Sequence, residues 1–126
     1  MNQVGDMQEL LTARVAGIKR AELAFDIFVH SVTKHIAAMS ASLNGLDALV
    51  FTGGIGENSS VVRQSICQGL RFLGVEVDPE RCAAVATASQ PDCLIAESPV
   101  AVAVIKADEF AQIASQCRTL LEGTTD

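Results

Sequence analysis

Gly53, Gly54 and Gly56 stand where this chain could do chemistry. They follow the apolar run Ala48-Leu49-Val50-Phe51-Thr52 and precede Glu57-Asn58-Ser59-Ser60. A buried strand, a glycine turn and then a helix start aim main-chain N–H groups and a positive helix end at one point. α/β proteins hold phosphate in this way. Asn58 or Ser59 is the expected N-cap of the helix that follows. The glycines are expected to let a ligand approach the main chain closely. The stretch points to a nucleotide.

The glycines do not make a P-loop, because no Lys-Ser or Lys-Thr follows them and Lys106 lies fifty residues beyond Gly56. A dinucleotide fingerprint is met in part. Gly54 and Gly56 supply two of its glycines, and Glu76 lies twenty residues beyond Gly56 in the extended run Val75-Glu76-Val77. Its third glycine is replaced by Ser59. Elsewhere the chemistry is sparse. Cys67, Cys82, Cys93 and Cys117 contain no CxxC pair, so four reduced thiols are expected. His30 and His35 are five apart and do not share a helix face as a metal pair would.

The elements that position the glycines can be read from apolar spacing. Met7 to about Ala16 reads as a helix with Asp6 as N-cap and Gly17 as its stop. A long helix from Ile18 to about Leu43 carries Phe25, Phe28, Val29, Val32, Ile36, Met39 and Leu43 as one stripe, closed by Asn44-Gly45. Beyond the glycines a helix to about Leu73 buries Val62, Ile66, Leu70 and Leu73, and Gly74 ends it. Asp78-Pro79 starts a short helix from Arg81 to about Ala88. Cys93–Glu97 and Val100–Ile105 read as a hairpin or neighbouring strands. Ala107 to about Leu121 forms a closing helix with Phe110, Ile113, Ala114, Cys117 and Leu121 apolar, and Gly123–Asp126 is expected to fray. The order predicts an α/β layer architecture in one unit, residues 1–126. With a long helix ahead of only three or four strands, the chain reads as the latter part of a larger domain.

The composition excludes several classes. No apolar run approaches the roughly 20 residues that span a bilayer, and no basic-then-apolar leader is present, so a cytoplasmic protein without a membrane role is expected. A net charge of −6 argues against nucleic acid, though not against a nucleotide held by main-chain dipoles and a metal ion.

The helix beginning Leu23-Ala24-Phe25, the run from Asn44-Gly45-Leu46-Asp47-Ala48 through Phe51-Thr52-Gly53-Gly54-Ile55-Gly56-Glu57-Asn58-Ser59, Arg63, and Gly69-Leu70-Arg71-Phe72-Leu73-Gly74-Val75 are together highly specific. They closely resemble the acetate/propionate kinase (acetokinase) family. The resemblance implies a partial ribonuclease-H-like fold of the actin-like ATPase and sugar-kinase superfamily, with this chain in the latter part of the second, nucleotide-binding domain. It implies ATP or ADP with Mg²⁺, held by Asp6, Gly54, Ile55, Gly56, Glu57 and Asn58, with Glu109 as the magnesium carboxylate. Two departures stand out. The family's Ser-Asp-x-Arg reads Gly5-Asp6-Met7-Gln8 here, and its Thr-Asn-Glu-Glu reads Ala107-Asp108-Glu109-Phe110. Read without the resemblance, Asp108 and Glu109 are first-turn acids that complement a helix dipole.

The resemblance also implies transfer of the γ-phosphoryl of ATP to a short-chain carboxylate such as acetate or propionate. The family's arginines, histidine and aspartate for that step lie ahead of this region, and the chain's own Lys19, Arg20, Lys34 and Lys106 form no clamp. The chain alone is therefore expected to keep part of the ATP site and to be inactive, with no catalytic residue of its own. A homodimer, or association with the missing N-terminal half, is the expected assembly. Two alternatives remain open at this point: a non-catalytic association module and a Rossmann-type NAD-binding fragment.

Overall fold

The sheet is built outward from one apolar strand. The computed structural model describes residues 3–85, 92–97 and 99–122, with side chains from Asp6 onward. Its elements are α1 (Gln3–Val15), α2 (Lys19–Ser42), β1 (Ala48–Phe51), α3 (Gly53–Asn58), α4 (Ser60–Gly69), α5 (Pro79–Ala84), β2 (Asp92–Ala96), β3 (Ala101–Ile105) and α6 (Glu109–Glu122). β3, the sequence Ala-Val-Ala-Val-Ile, lies in the middle. β1 runs parallel to it from Ala48↔Ala101 to Phe51↔Val104. β2 runs antiparallel on its other side, with a register irregularity between Leu94 and Ala96.

Alternation decides what each face buries. Phe51, Ile95, Val102 and Val104 form one core with Met7 of α1, Phe25 of α2, and Val62, Ile66 and Leu70 of and just after α4. On the opposite face Val50 and Leu94 both pair with Ala103, and both are about half exposed, at 48% and 51%. Among the described residues the sheet is therefore covered on one side only.

Most expected elements form, with several differences. The first helix begins at Gln3, so Asp6 lies within its first turn and is not its N-cap. The glycine turn is itself a six-residue helix, α3, because Gly54 through Asn58 take helical angles directly after Gly53. The following helix stops at Gly69, and Arg71–Leu73 form a 3₁₀ turn. Val75–Val77 belongs to no strand of the described residues, and with it goes the second strand a dinucleotide fold would place under Glu76. The apolar stripe of α6 faces solvent, with Phe110 exposed at 88% and Leu121 at 76%.

Asn44 (φ 59°) and Gly45 (φ 135°) close α2 as expected. Asp78 caps α5, its carboxylate accepting from the N–H groups of Glu80 at 2.8 Å and Arg81 at 3.2 Å. Met39 and Leu43, expected to continue the stripe of α2, are exposed at its end. Residues 86–88, the expected end of the short helix, and the tail 123–126 lie outside the described residues. No helix among the described residues is long and apolar enough to cross a membrane.

Cys67, Cys82 and Cys117 are free thiols. Burial pushes the Cys67 thiol up from 9.0 to about 12, Cys82 adds to the rise, and Arg63 opposes it. An acid whose pKa is raised by folding stabilises fully below its unfolded value and loses that stabilisation as pH climbs to the folded one. Stability should thus decline from pH 9 toward pH 12, and Cys67→Ala should flatten that decline. Urea midpoints measured across this range for both chains test it; parallel slopes would remove Cys67 as the cause.

Candidate functional site

The glycine segment lies at the carboxyl ends of the parallel pair β1 and β3. Ligands of open α/β sheets gather outside such ends, because two chains leave the sheet there side by side. Thr52 is fully extended (φ −150°, ψ 169°), and Gly53 turns the chain with φ +78°. A side chain would strain that left-handed backbone, so glycine is required at this residue. Ser59 (φ −118°, ψ 98°) then breaks the helical path, and its Oγ accepts from the N–H of Val62 at 3.3 Å to start α4.

α3 is too short to hold itself, since a single turn gains few hydrogen bonds for the residues it fixes. Two charged side chains pin its ends. Glu57 Oε1 accepts from the N–H of Gly53 at 2.8 Å and from the N–H of Ala107 at 2.8 Å. Arg63, fully buried, donates from one terminal nitrogen to the carbonyls of Gly56 and Glu57, each at 2.8 Å. Its other terminal nitrogen donates to the carbonyl of Cys82 at 2.7 Å, and Nε is left without a partner. Asn58 Nδ2 donates back to the carbonyl of Gly54 at 2.8 Å.

The expected ligand residues are brought together in part. Gly54, Ile55 and Asn58 line one cavity of about 120 Å³ with Met7, Gln8, Leu11 and Ser59, between α1 and α3. Gln8, which stands where the family motif has arginine, is thus part of the wall. Asp6 is exposed on α1 and does not line this cavity. Gly56 faces the other way: a Cβ there would meet Phe51 at 3.5 Å, an ordinary contact. Its bare Cα leans on β1, and a side chain there would point at the strand. Glu57 is turned to the main chain as described.

Glu109 is exposed in the first turn of α6, two residues beyond the Ala107 amide that Glu57 holds. Asp108 Oδ1 accepts from the N–H of Ala111 at 2.9 Å and caps α6. The first-turn reading therefore accounts for Asp108 and leaves Glu109 facing solvent. No group of three or more His, Cys, Asp or Glu among the described residues could hold a metal ion.

Glu76 lines a different cavity, of about 390 Å³, with Gln64, Cys67, Arg71 and Pro79, and none of the glycine segment borders it. With no strand beneath Glu76, the dinucleotide reading loses its acid. Sequence reasoning missed what Arg63 does. The signal was present: Arg63, Ile66, Cys67 and Leu70 fall at i, i+3, i+4 and i+7, which places a cation inside an apolar stripe.

A model of the acetokinase family matches residues 1–115. The chain belongs to the acetokinase family. It is 49% identical over 121 residues to an acetate kinase of a Synechococcus species, covering 94% of this chain and 29% of that protein. An acetate kinase of Treponema denticola is 44% identical over 117 residues, again at 29% of its length. The crystal structure of Porphyromonas gingivalis acetate kinase superimposes with a TM-score of 0.77 at 34% identity, covering 90% of this chain and 28% of that one. The acetate kinase of Entamoeba histolytica gives 0.82 at 27% identity, covering 92% and 30%. The chain thus spans about three-tenths of the length of the acetokinases it matches.

Arg63→Met should destabilise the fold by about 3 kcal/mol, because the carbonyls of Gly56, Glu57 and Cys82 lose a charged donor that is itself buried. Gly56→Ala should be neutral or stabilise by up to about 1 kcal/mol, a helical glycine gaining a methyl that fits. Urea unfolding of the two variants checks the contrast. Equal midpoints for Arg63→Met and the parent chain would mean that the guanidinium holds nothing.

Proposed function

We propose that this chain is the latter part of the second, nucleotide-binding domain of an acetokinase-type kinase, in a ribonuclease-H-like fold. In this reading it binds ATP or ADP with Mg²⁺ and does not transfer phosphoryl by itself. The observation that carries the reading is the cavity between α1 and α3. It gathers Gly54, Ile55 and Asn58 from one family motif and Gln8 from another. At about 120 Å³ it lies below the ~300–1,000 Å³ of pockets that enclose a whole ligand, so it suits one moiety of a nucleotide.

The residues at hand fit a magnesium ion in a limited way. Mg²⁺ keeps most of its water and takes one or two carboxylates together with substrate phosphate. Glu109, exposed and beside the capped start of α6, is the carboxylate that would serve. The ion would supply charge neutralisation for the phosphates. Within the chain, Gly54 and Ile55 contribute the main-chain wall, Asn58 contributes a side-chain amide tied to that wall, and Gln8 closes the opposite side. The acceptor in the intact kinase would be a short-chain carboxylate such as acetate or propionate. The groups that orient it belong to the remaining seven-tenths or so of the family's length.

Calorimetric titration of the chain with Mg·ATP, with NADH as the comparison ligand, tests this. Saturable heat with Mg·ATP and none with NADH is expected. Absence of any heat with Mg·ATP would end the nucleotide reading for the isolated chain.

A second reading, an association module, is favoured by one observation. The open sheet face at Val50 and Leu94 and the stripe Phe110, Ile113 and Leu121 on α6 are all exposed. Large bare apolar surfaces of this kind mark contact sites. Sedimentation equilibrium should show self-association into dimers or larger species. A monodisperse monomer at high concentration would count against it.

A further inference from the structure

The geometry points to Glu57 as a positioning residue: a brace that ties the glycine segment to the connector carrying Glu109. This inference rests on the nucleotide reading for its functional meaning, though not for its geometry. The resemblance gives Glu57 to the nucleotide itself. Its Oε1 is instead committed to two main-chain N–H groups, those of Gly53 and Ala107, at 2.8 Å each.

Three features separate a brace from a local cap. The two donors lie 54 residues apart in the chain, yet they follow neighbouring strands, since Phe51 pairs with Val104 in the parallel register of β1 and β3. Glu57 thus spans the gap between the two chain exits at the carboxyl ends of the strands, where a ligand of this sheet would sit. The connector Lys106–Asp108 is also fixed at its other edges. The N–H of Lys106 donates to Asp92 Oδ1 at 3.3 Å, and Asp108 caps α6. With the Ala107 amide held by Glu57, Glu109 starts its helix at a set place relative to Gly54 and Ile55. Finally, Arg63 grips the Glu57 carbonyl, so the brace residue is anchored to the buried core through its own main chain.

A carboxylate oxygen that accepts two N–H bonds makes stronger, charge-assisted contacts than a neutral acceptor. The consequence for the site is coupling. A shift of the glycine segment moves the connector, and the connector carries the carboxylate suited to magnesium.

The test compares Glu57→Ala and Glu57→Gln in the ligand-free chain by amide hydrogen exchange and ¹⁵N–¹H spectra. In Glu57→Ala, exchange at Gly53 and at Ala107 should rise together by about tenfold or more, with both amide resonances moving upfield. In Glu57→Gln, whose amide oxygen can accept at the same point, most of the protection should return. A rise at Gly53 with Ala107 unchanged would make Glu57 a private cap of α3 and overturn the brace. Mg·ATP is then titrated into the same variants. Weaker binding in Glu57→Ala, restored in Glu57→Gln, is expected of a brace. Should the parent chain bind no Mg·ATP, the nucleotide reading fails while the exchange data still decide the brace.

Discussion

A six-residue helix cannot sustain itself in water, and the candidate site depends on one. α3 forms because its two ends are bound by opposite charges drawn from its own neighbourhood. Glu57 meets the N–H of Gly53 at the start, where the helix dipole is positive, and Arg63 meets the carbonyls of Gly56 and Glu57 at the end. Each charge is also tied to a distant segment, Ala107 for the first and Cys82 for the second. The glycine segment is therefore the point where β1, β3, α4 and α5 are joined. A buried guanidinium that meets only carbonyls is costly unless its geometry is good. Here three contacts of 2.7–2.8 Å are made, and Nε alone is left unsatisfied.

The parts that local rules govern were legible in the sequence. Asn44-Gly45, Asp78-Pro79 and the alternation of Ala101–Ile105 each act within a few residues, and each appears where its chemistry demands. The glycine segment was read as a turn at a ligand site, and its helical form was not foreseen. Gly-Gly-Ile-Gly has low helical propensity, and the clamp that overrides it involves Ala107 and Cys82, far away in sequence. Glu57 could not be separated from a ligand contact by spacing, since nothing local says that a carboxylate will meet an amide 50 residues on. Gly56 looked like a place for close ligand approach. Only the packing shows that its bare side faces Phe51.

The apolar pattern was read correctly on the side of the chain that closes and incorrectly on the side that does not. Phe25, Val62, Ile66 and Val104 are buried because both layers of that contact lie within these 126 residues. Phe110 and Ile113 obey the same helical spacing but meet nothing that would bury them here. Periodicity reports that a face is built for burial; it does not report which surface will cover it. The same holds for Val50 and Leu94 on the open side of the sheet.

Electrostatics constrains how such a site could hold an anion. Each helix start near the cavity already has an acceptor of its own: Glu57 at α3 and the Ser59 hydroxyl at α4. Gln8 stands where the family motif has a cation, and the seven residues lining the cavity include none. The chain as a whole carries −6. Free main-chain dipoles and side-chain cations are the two usual sources of phosphate affinity; the residues lining the cavity include no cation, and each neighbouring helix start has one N–H already engaged. What the cavity retains is an apolar and amide-lined wall from Met7, Leu11, Ile55 and Asn58. On the proposed nucleotide reading, such a wall suits the uncharged part of the ligand, and positive charge for the phosphates would come from beyond it. In that reading a divalent cation near Glu109 would be one source, and the cationic groups of the rest of an acetokinase would be the other. That division of labour between wall and counter-charge belongs to the proposed reading and follows from the absence of a cation among the seven lining residues.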